Sequence, residues 1–145
     1  MNLMFQPLRK YAVFEGRARR SEYWQFVAFL SGVAFVALVA VAVVSDGLQT
    51  IDAEASSSPL VDALIGLLGL AYLAILIPLL AVTVRRLHDT NRSGWWVFIR
   101  IVPIVGGLVL FVFTLLEGSK GRNSYGADPK GDGETADEKT AEVFA

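Results

Sequence analysis

The most chemically dense stretch of the sequence reads Arg85-Arg86-Leu87-His88-Asp89-Thr90-Asn91-Arg92-Ser93-Gly94. It offers two kinds of chemistry. The first is ion pairing. Arg85, Asp89 and Arg92 stand at i, i+4 and i+7, so on a helix they share a face, and Asp89 would bridge two guanidiniums. The second is proton transfer, with His88 and Asp89 as acid and base. No nucleophile or second base stands in register with them, so the clasp is the expected use and no catalytic residue is expected. His88 is the only histidine and cysteine is absent, which excludes disulfides, thiolate metal sites and cysteine nucleophiles. A metal site would rest on carboxylates alone, so no metal and no cofactor is expected. His88 is expected to cap a helix end or to hydrogen-bond a neighbour.

Two other groups of residues carry charge at suggestive positions. Arg9, Lys10, Arg17, Arg19 and Arg20 precede the first apolar block, with Glu22 and Trp24 at its edge. Arg100 is the one charge inside an apolar block. Such a residue marks a functional site by default, and the competing reading is a side chain that snorkels to the interface.

The elements that must position these residues are mostly apolar. Hydrophobic residues make up 54% of the 145, above the roughly 45–50% of soluble domains. They gather in three blocks, at about 23–44, 63–84 and 95–116. Each is near the ~20 residues that cross a bilayer core. Ala28, Gly32, Val36 and Ala40 form a stripe on the first block that is expected to pack on the rest of the bundle, and Gly66 and Gly69 read as close-packing positions in the second. Pro78 is expected to kink the second block without ending it. The third opens on Trp95 and Trp96 and carries Pro103, Gly106 and Gly107 near its middle. Its length fits a single crossing. Its Pro and paired Gly fit a broken or re-entrant helix.

Residues 1–22 are expected to form a cytoplasmic interfacial leader, with Phe5, Leu8, Tyr11 and Phe14 on one face of a short amphipathic helix. In it Glu15 and Arg19 would pair if the helix continues past Gly16. Residues 45–62 read as a polar loop, and 131–145 as a disordered acidic tail. The fold expected is therefore an all-α membrane protein: a three-helix transmembrane bundle over 23–130, with an N-terminal interfacial helix. Lys and Arg count five before the first block, three in the loop 85–94 and none in the loop 45–62. The positive-inside rule then puts the N-terminus and the loop 85–94 in the cytoplasm.

These motifs together resemble a known family. They are Phe14-Glu15-Gly16-Arg17-Ala18-Arg19-Arg20-Ser21-Glu22-Tyr23-Trp24, the run from Arg85 to Asp89 with Arg92-Ser93-Gly94-Trp95-Trp96, Ile101-Val102-Pro103-Ile104-Val105-Gly106, and Gly121-Arg122-Asn123-Ser124-Tyr125-Gly126-Ala127-Asp128-Pro129. Over residues 5 to 130 or so the chain is similar to the small bacterial inner-membrane proteins catalogued as domain of unknown function 805. Asn91 stands where that family commonly has Gly, and Ala127 where it often has Pro. The resemblance implies a bacterial plasma-membrane location and no reaction, substrate or cofactor.

The expected function is a non-enzymatic assembly or interaction protein with a basic cytoplasmic motif face. Its candidate lipid- or partner-binding residues are Gly16, Arg17, Arg19, Arg20, Glu22 and Trp24 from the first motif. Arg85, Arg86, His88, Asp89, Arg92, Gly94, Trp95 and Arg100 come from the centre, and Asn123, Gly126, Asp128 and Pro129 from the last box. Expected partners are membrane lipids with anionic headgroups, a second copy or another membrane protein, and no nucleic acid. The alternatives are a transporter or channel subunit using Arg100 and the third block, and a membrane enzyme acting on lipid or envelope precursors through His88 and Asp89.

Overall fold

A computed structural model of the chain describes residues 3–51 and 59–131. Among these residues regular structure is helical, with one isolated bridge between Asn123 and Gly126. A 3₁₀ turn at Leu3–Phe5 leads into the single turn of α1, Gln6–Arg9. Two long helices follow, α2 at Arg20–Ile51 and α3 at Pro59–Asp89. A 3₁₀ segment at Gly94–Ile101 and the short helix α4 at Val105–Leu115 complete the order.

At 1.5 Å per residue α2 and α3 are each about 45–50 Å long, more than the ~30 Å of a bilayer core. Both are long and apolar enough to cross a membrane. α3 continues through Pro78 without ending there. The polar stretch 45–62 is shorter than its composition suggests. α2 continues to Ile51 and α3 begins at Pro59, and the remainder lies outside the described residues. So does the acidic tail beyond Gly131.

The chain forms two compact units. One comprises residues 27–77 and the other the flanking segments, up to Phe26 and from Pro78 onward. In the first unit no residue whose side chain is described is buried. The stripe Ala28, Gly32, Val36, Ala40 was expected to pack within the bundle, and it is exposed throughout. A Cβ added at Gly32, Gly66 or Gly69 would meet nothing within 4 Å. The small residues therefore leave these faces smooth, and no described segment comes within 4 Å of a Cβ at these glycines.

The second unit holds the core, built on Ala18, Phe26, Ala81, Val82, Leu87 and Leu110. Three expectations change here. The interfacial helix of the leader is only one turn long. Gly16 lies at φ +82°, left-handed backbone that no continuing helix allows, so Glu15 and Arg19 never come into helical register. The span expected at 95–116 is not one helix but two legs. The eight residues of the 3₁₀ leg rise about 16 Å at 2.0 Å each, and the eleven of α4 rise about 16 Å at 1.5 Å each. The third change lies in how these legs run.

They run antiparallel. Trp96 meets Phe113 edge-to-face with centroids 5.4 Å apart, while deeper in the hairpin Gly106 abuts the Ile99 carbonyl. Pro103 ends the 3₁₀ leg and Ile104 turns the chain at φ +63°. For a β-branched residue that conformation is strained. Gly106 is required because any Cβ there would strike the backbone of Ile99, whereas a Cβ at Gly107 meets nothing. Gly106→Ala should therefore lower unfolding stability in detergent by about 1–3 kcal/mol through overpacking. Gly107→Ala should leave it unchanged or raise it by up to about 1 kcal/mol through helix propensity. Equal effects of the two substitutions in thermal unfolding would show that the legs are not held at Gly106.

Candidate functional site

The site forms where α3 ends. Its last carbonyls need partners, since a helix leaves four of them unbonded. The chain turns there in a Schellman arrangement. Asn91 N–H donates to His88 C=O at 2.9 Å and Arg92 N–H to Leu87 C=O at 3.0 Å. Asn91 takes the left-handed position at φ +55°, which Asn tolerates better than most residues and Gly would take freely. The last box supplies the other donors. Ser119 N–H bonds the Asp89 carbonyl at 2.8 Å, and Asn123 Nδ2 bonds that of His88 at 2.9 Å.

Asp89 does bridge two guanidiniums, but they are Arg17 and Arg86 rather than Arg85 and Arg92. Arg17 Nε donates to Asp89 Oδ1 at 2.9 Å, and Arg86 Nη1 donates to Oδ2. The cap at Asn91 takes Arg92 off the helix face. Its guanidinium lies 4.3 Å from the Phe113 ring centroid, a cation–π contact. Arg85 points to the start of α2 and pairs with Glu22 at 2.9 Å. Both pairs are buried, and Arg17 and Arg85 are each 1% exposed at the side chain.

Arg17 is the hub. Besides Asp89 it donates to the carbonyls of Gly121 at 2.6 Å and Ser119, and lies 3.9 Å from Asp128 Oδ1. Asp128 in turn accepts from Gly121 N–H at 3.2 Å and Lys130 N–H at 2.9 Å. Arg19 donates to the Pro129 carbonyl. Asn123 and Gly126 exchange backbone hydrogen bonds, and the Asn123 Oδ1 accepts from Tyr125 N–H at 2.8 Å. This turn holds the Tyr125 ring flat on His88, with centroids 3.9 Å apart and planes 5° off parallel. His88 Nδ1 lies 3.2 Å from the Gly16 carbonyl, which can only accept, so Nδ1 carries the proton.

The end of α4 closes the cluster. Arg86 donates to the carbonyls of Thr114 and Leu116, Trp24 Nε1 to that of Thr114 at 3.4 Å, and Arg20 Nη1 to that of Leu115 at 3.2 Å. Reasoning from the sequence gave Thr114 and Ser119 no role and read Gly118 only as part of a turn-forming run. Gly118 is needed because a Cβ there would strike the Asp89 carboxylate. Thr114, the one polar residue between Ile101 and Leu116, was a visible signal.

The structure thus brings the first motif, the end of α3 and the last box into one cluster. It leaves Trp95 and Arg100 outside it, exposed, and sets Gly94 against Val84 at the start of the 3₁₀ leg, where a Cβ would lie 2.7 Å from Val84 Cγ1. Among the described residues no group of three or more His, Cys, Asp or Glu side chains is placed to hold a metal ion.

Removing one partner of a buried ion pair costs about 3–5 kcal/mol, because the other charge stays buried. Asp89→Ala and Arg17→Ala should each destabilise by that amount. Arg17→Lys should not restore it, since an ammonium cannot serve the fork of acceptors that a guanidinium reaches. Arg20 pairs with Glu117 at 3.3 Å in the open, so Glu117→Ala should cost less than about 1 kcal/mol. Chemical denaturation in a mild detergent measures all four.

Comparison with known proteins places this arrangement. The chain is 41% identical to the Escherichia coli inner membrane protein YhaI over 131 residues, which cover 90% of this chain and 97% of the relative. It is 35% identical to the inner membrane protein YhaH of the same organism over 130 residues, 90% of this chain and 98% of the relative. A third relative, the uncharacterized E. coli protein YiiR, is 28% identical over 153 residues, covering 88% and 93%. No solved structure matches significantly. Residues 11–127, which carry the clasp up to Ala127 in the last box, match a family described as "Protein of unknown function (DUF805)", and the chain belongs to that family of inner-membrane relatives.

Proposed function

We propose that the protein is a non-enzymatic, multi-pass component of the bacterial inner membrane that works by assembly with copies of itself or with another membrane protein. In this reading α2 and α3 cross the bilayer with the N-terminus in the cytoplasm. The hairpin 94–115 enters from the cytoplasmic side and returns to it. Each leg, about 16 Å, is half a bilayer core. The charge pattern supports this orientation, since the basic segments then lie on one side together with Lys120 and Arg122.

One observation carries the assembly reading. The side chains able to do chemistry are spent on each other in the buried clasp, while residues 27–77 present large apolar groups such as Phe35, Leu38, Leu70 and Leu73 outward. Asp89 is saturated by two guanidiniums and His88 is stacked and hydrogen-bonded, so neither supports proton transfer to a substrate. The cluster is a structural clasp, and the apolar helix faces are what remains for partners.

A second reading, a transport or channel subunit, draws on the broken third block, because interrupted helices line substrate paths in transporters. It requires solute flux through proteoliposomes that falls in Arg100→Ala.

The absence of cysteine makes the orientation testable. Lys10→Cys and Lys130→Cys should both react with an impermeant maleimide only from the cytoplasmic side, and Ser56→Cys only from the outside. Reaction of Lys130→Cys from the outside would refute the returning hairpin. For assembly, in-membrane crosslinking of the wild type should give discrete species above the monomer that Asp89→Ala loses. A crosslinking pattern that is monomeric throughout would overturn it.

A further inference from the structure

The clasp takes up most of the arginines and leaves Arg9, Arg100 and Arg122 outside it, and of these three Arg100 alone lies within an apolar block. Arg100 is exposed and makes no hydrogen bond or ion pair with any described residue. It lines an open groove of about 720 Å³ between α3 and the 3₁₀ leg. The floor and walls are apolar, formed by Leu80, Val84, Trp95, Phe98 and Ile101, and His88 closes the end nearest the clasp. Trp95 is 77% exposed and Ile101 equally so.

We propose that this groove seats one anionic phospholipid of the cytoplasmic leaflet, with an acyl chain along the apolar floor and the phosphate on the Arg100 guanidinium. The inference rests on the membrane orientation proposed above and moves lipid recognition away from the basic motifs to this single side chain. Charge complementarity selects the occupant. An unpaired cation beside a long apolar surface fits an amphiphile with a negative head, and an apolar protein helix would bury that cation without a partner. The depth is also right. From Leu80 to His88 α3 rises about 12 Å, the reach of the upper part of an acyl chain. Arg100 lies six residues beyond Gly94, about 12 Å along a 3₁₀ helix, and its stem lets the head snorkel back toward the phosphate level. Gly94 sets the leg close on α3 at the start of the groove, because its missing Cβ lets the 3₁₀ leg begin against Val84.

The test uses the full chain reconstituted in vesicles of phosphatidylcholine and phosphatidylglycerol. Bromine is carried on the acyl chains of one lipid or the other, and quenching of tryptophan emission is read. The part of the signal lost in Trp95→Phe reports the groove. One lysine or arginine near an anionic surface contributes attraction equivalent to about a five-fold preference. Brominated phosphatidylglycerol should therefore half-quench the Trp95 signal at about five-fold lower mole fraction than brominated phosphatidylcholine. Arg100→Gln should make the two curves coincide, Arg100→Lys should keep them apart, and Lys120→Gln, outside the groove, should change nothing. Coincident curves for the wild type would overturn the proposal without any variant, as would a preference that survives in a helical, reconstituted Arg100→Gln. A chain that alkaline carbonate strips from membranes would instead refute the membrane-spanning reading on which the proposal rests. One that inserts but shows coincident curves refutes only the lipid site.

Discussion

A guanidinium taken out of water must find acceptors for its five N–H groups, and Arg17 finds them in segments far apart in sequence. Asp89 comes from the end of α3, and the carbonyls of Ser119 and Gly121 come from the last box. With the side chain 1% exposed, none of these partners is replaceable by solvent. An uncompensated buried charge costs several kcal/mol, a large part of the stability of a small domain. Arg17 therefore acts as a constraint on topology. The start of α2, the end of α3 and the segment after α4 must all arrive at one point.

Several arginines at one point look like like-charge crowding, offset among the described residues by Asp89, Glu22, Asp128 and the exposed Glu117. The helix ends resolve this. α3 and α4 both finish at the cluster, and each presents partly negative, unbonded carbonyls there. Arg86 illustrates the economy, with one carboxylate oxygen and the carbonyls of Thr114 and Leu116 on one planar head. Arginine suits the task because it forks and is weakly hydrated. Where α3 needs donors at its own end, the box offers neutral ones, Ser119 N–H and Asn123 Nδ2.

Much of this was legible in the sequence, and the failures have a common cause. The two long helices follow from uninterrupted apolar runs, and that Asp89 should hold two guanidiniums was read from the helical spacing of Arg85, Asp89 and Arg92. Which two did not follow, because helical spacing assumes that the helix continues. The chain instead caps at Asn91, which swings Arg92 onto Phe113. The long-range partner, Arg17, lies 72 residues away, beyond any periodicity argument. The contact stripe at Ala28, Gly32, Val36 and Ala40 failed differently. Small residues state that a surface can be approached closely, and they do not say by which chain.

The third block shows what length alone leaves out, since it folds as two legs and not as one helix. Its residues 95–116 are enough to cross once, and a straight helix would satisfy every backbone group within itself. Such a helix would also carry Ser119, Gly121, Asn123 and Asp128 to the far side of the bilayer. Arg17 and Asp89 would then lose most of their partners, and the last carbonyls of α3 would lose theirs. Against those losses stands the cost of breaking the block at Pro103 and holding Ile104 at positive φ, of order 1–3 kcal/mol for one strained residue. The clasp outweighs the strain. The turned-back block also keeps Lys120 and Arg122 with the other basic residues, so the positive-inside count and the ion pairs favour the same path. Arg100 is the by-product of that path. Carried on the 3₁₀ leg, it pairs with no carboxylate among the described residues and stays exposed.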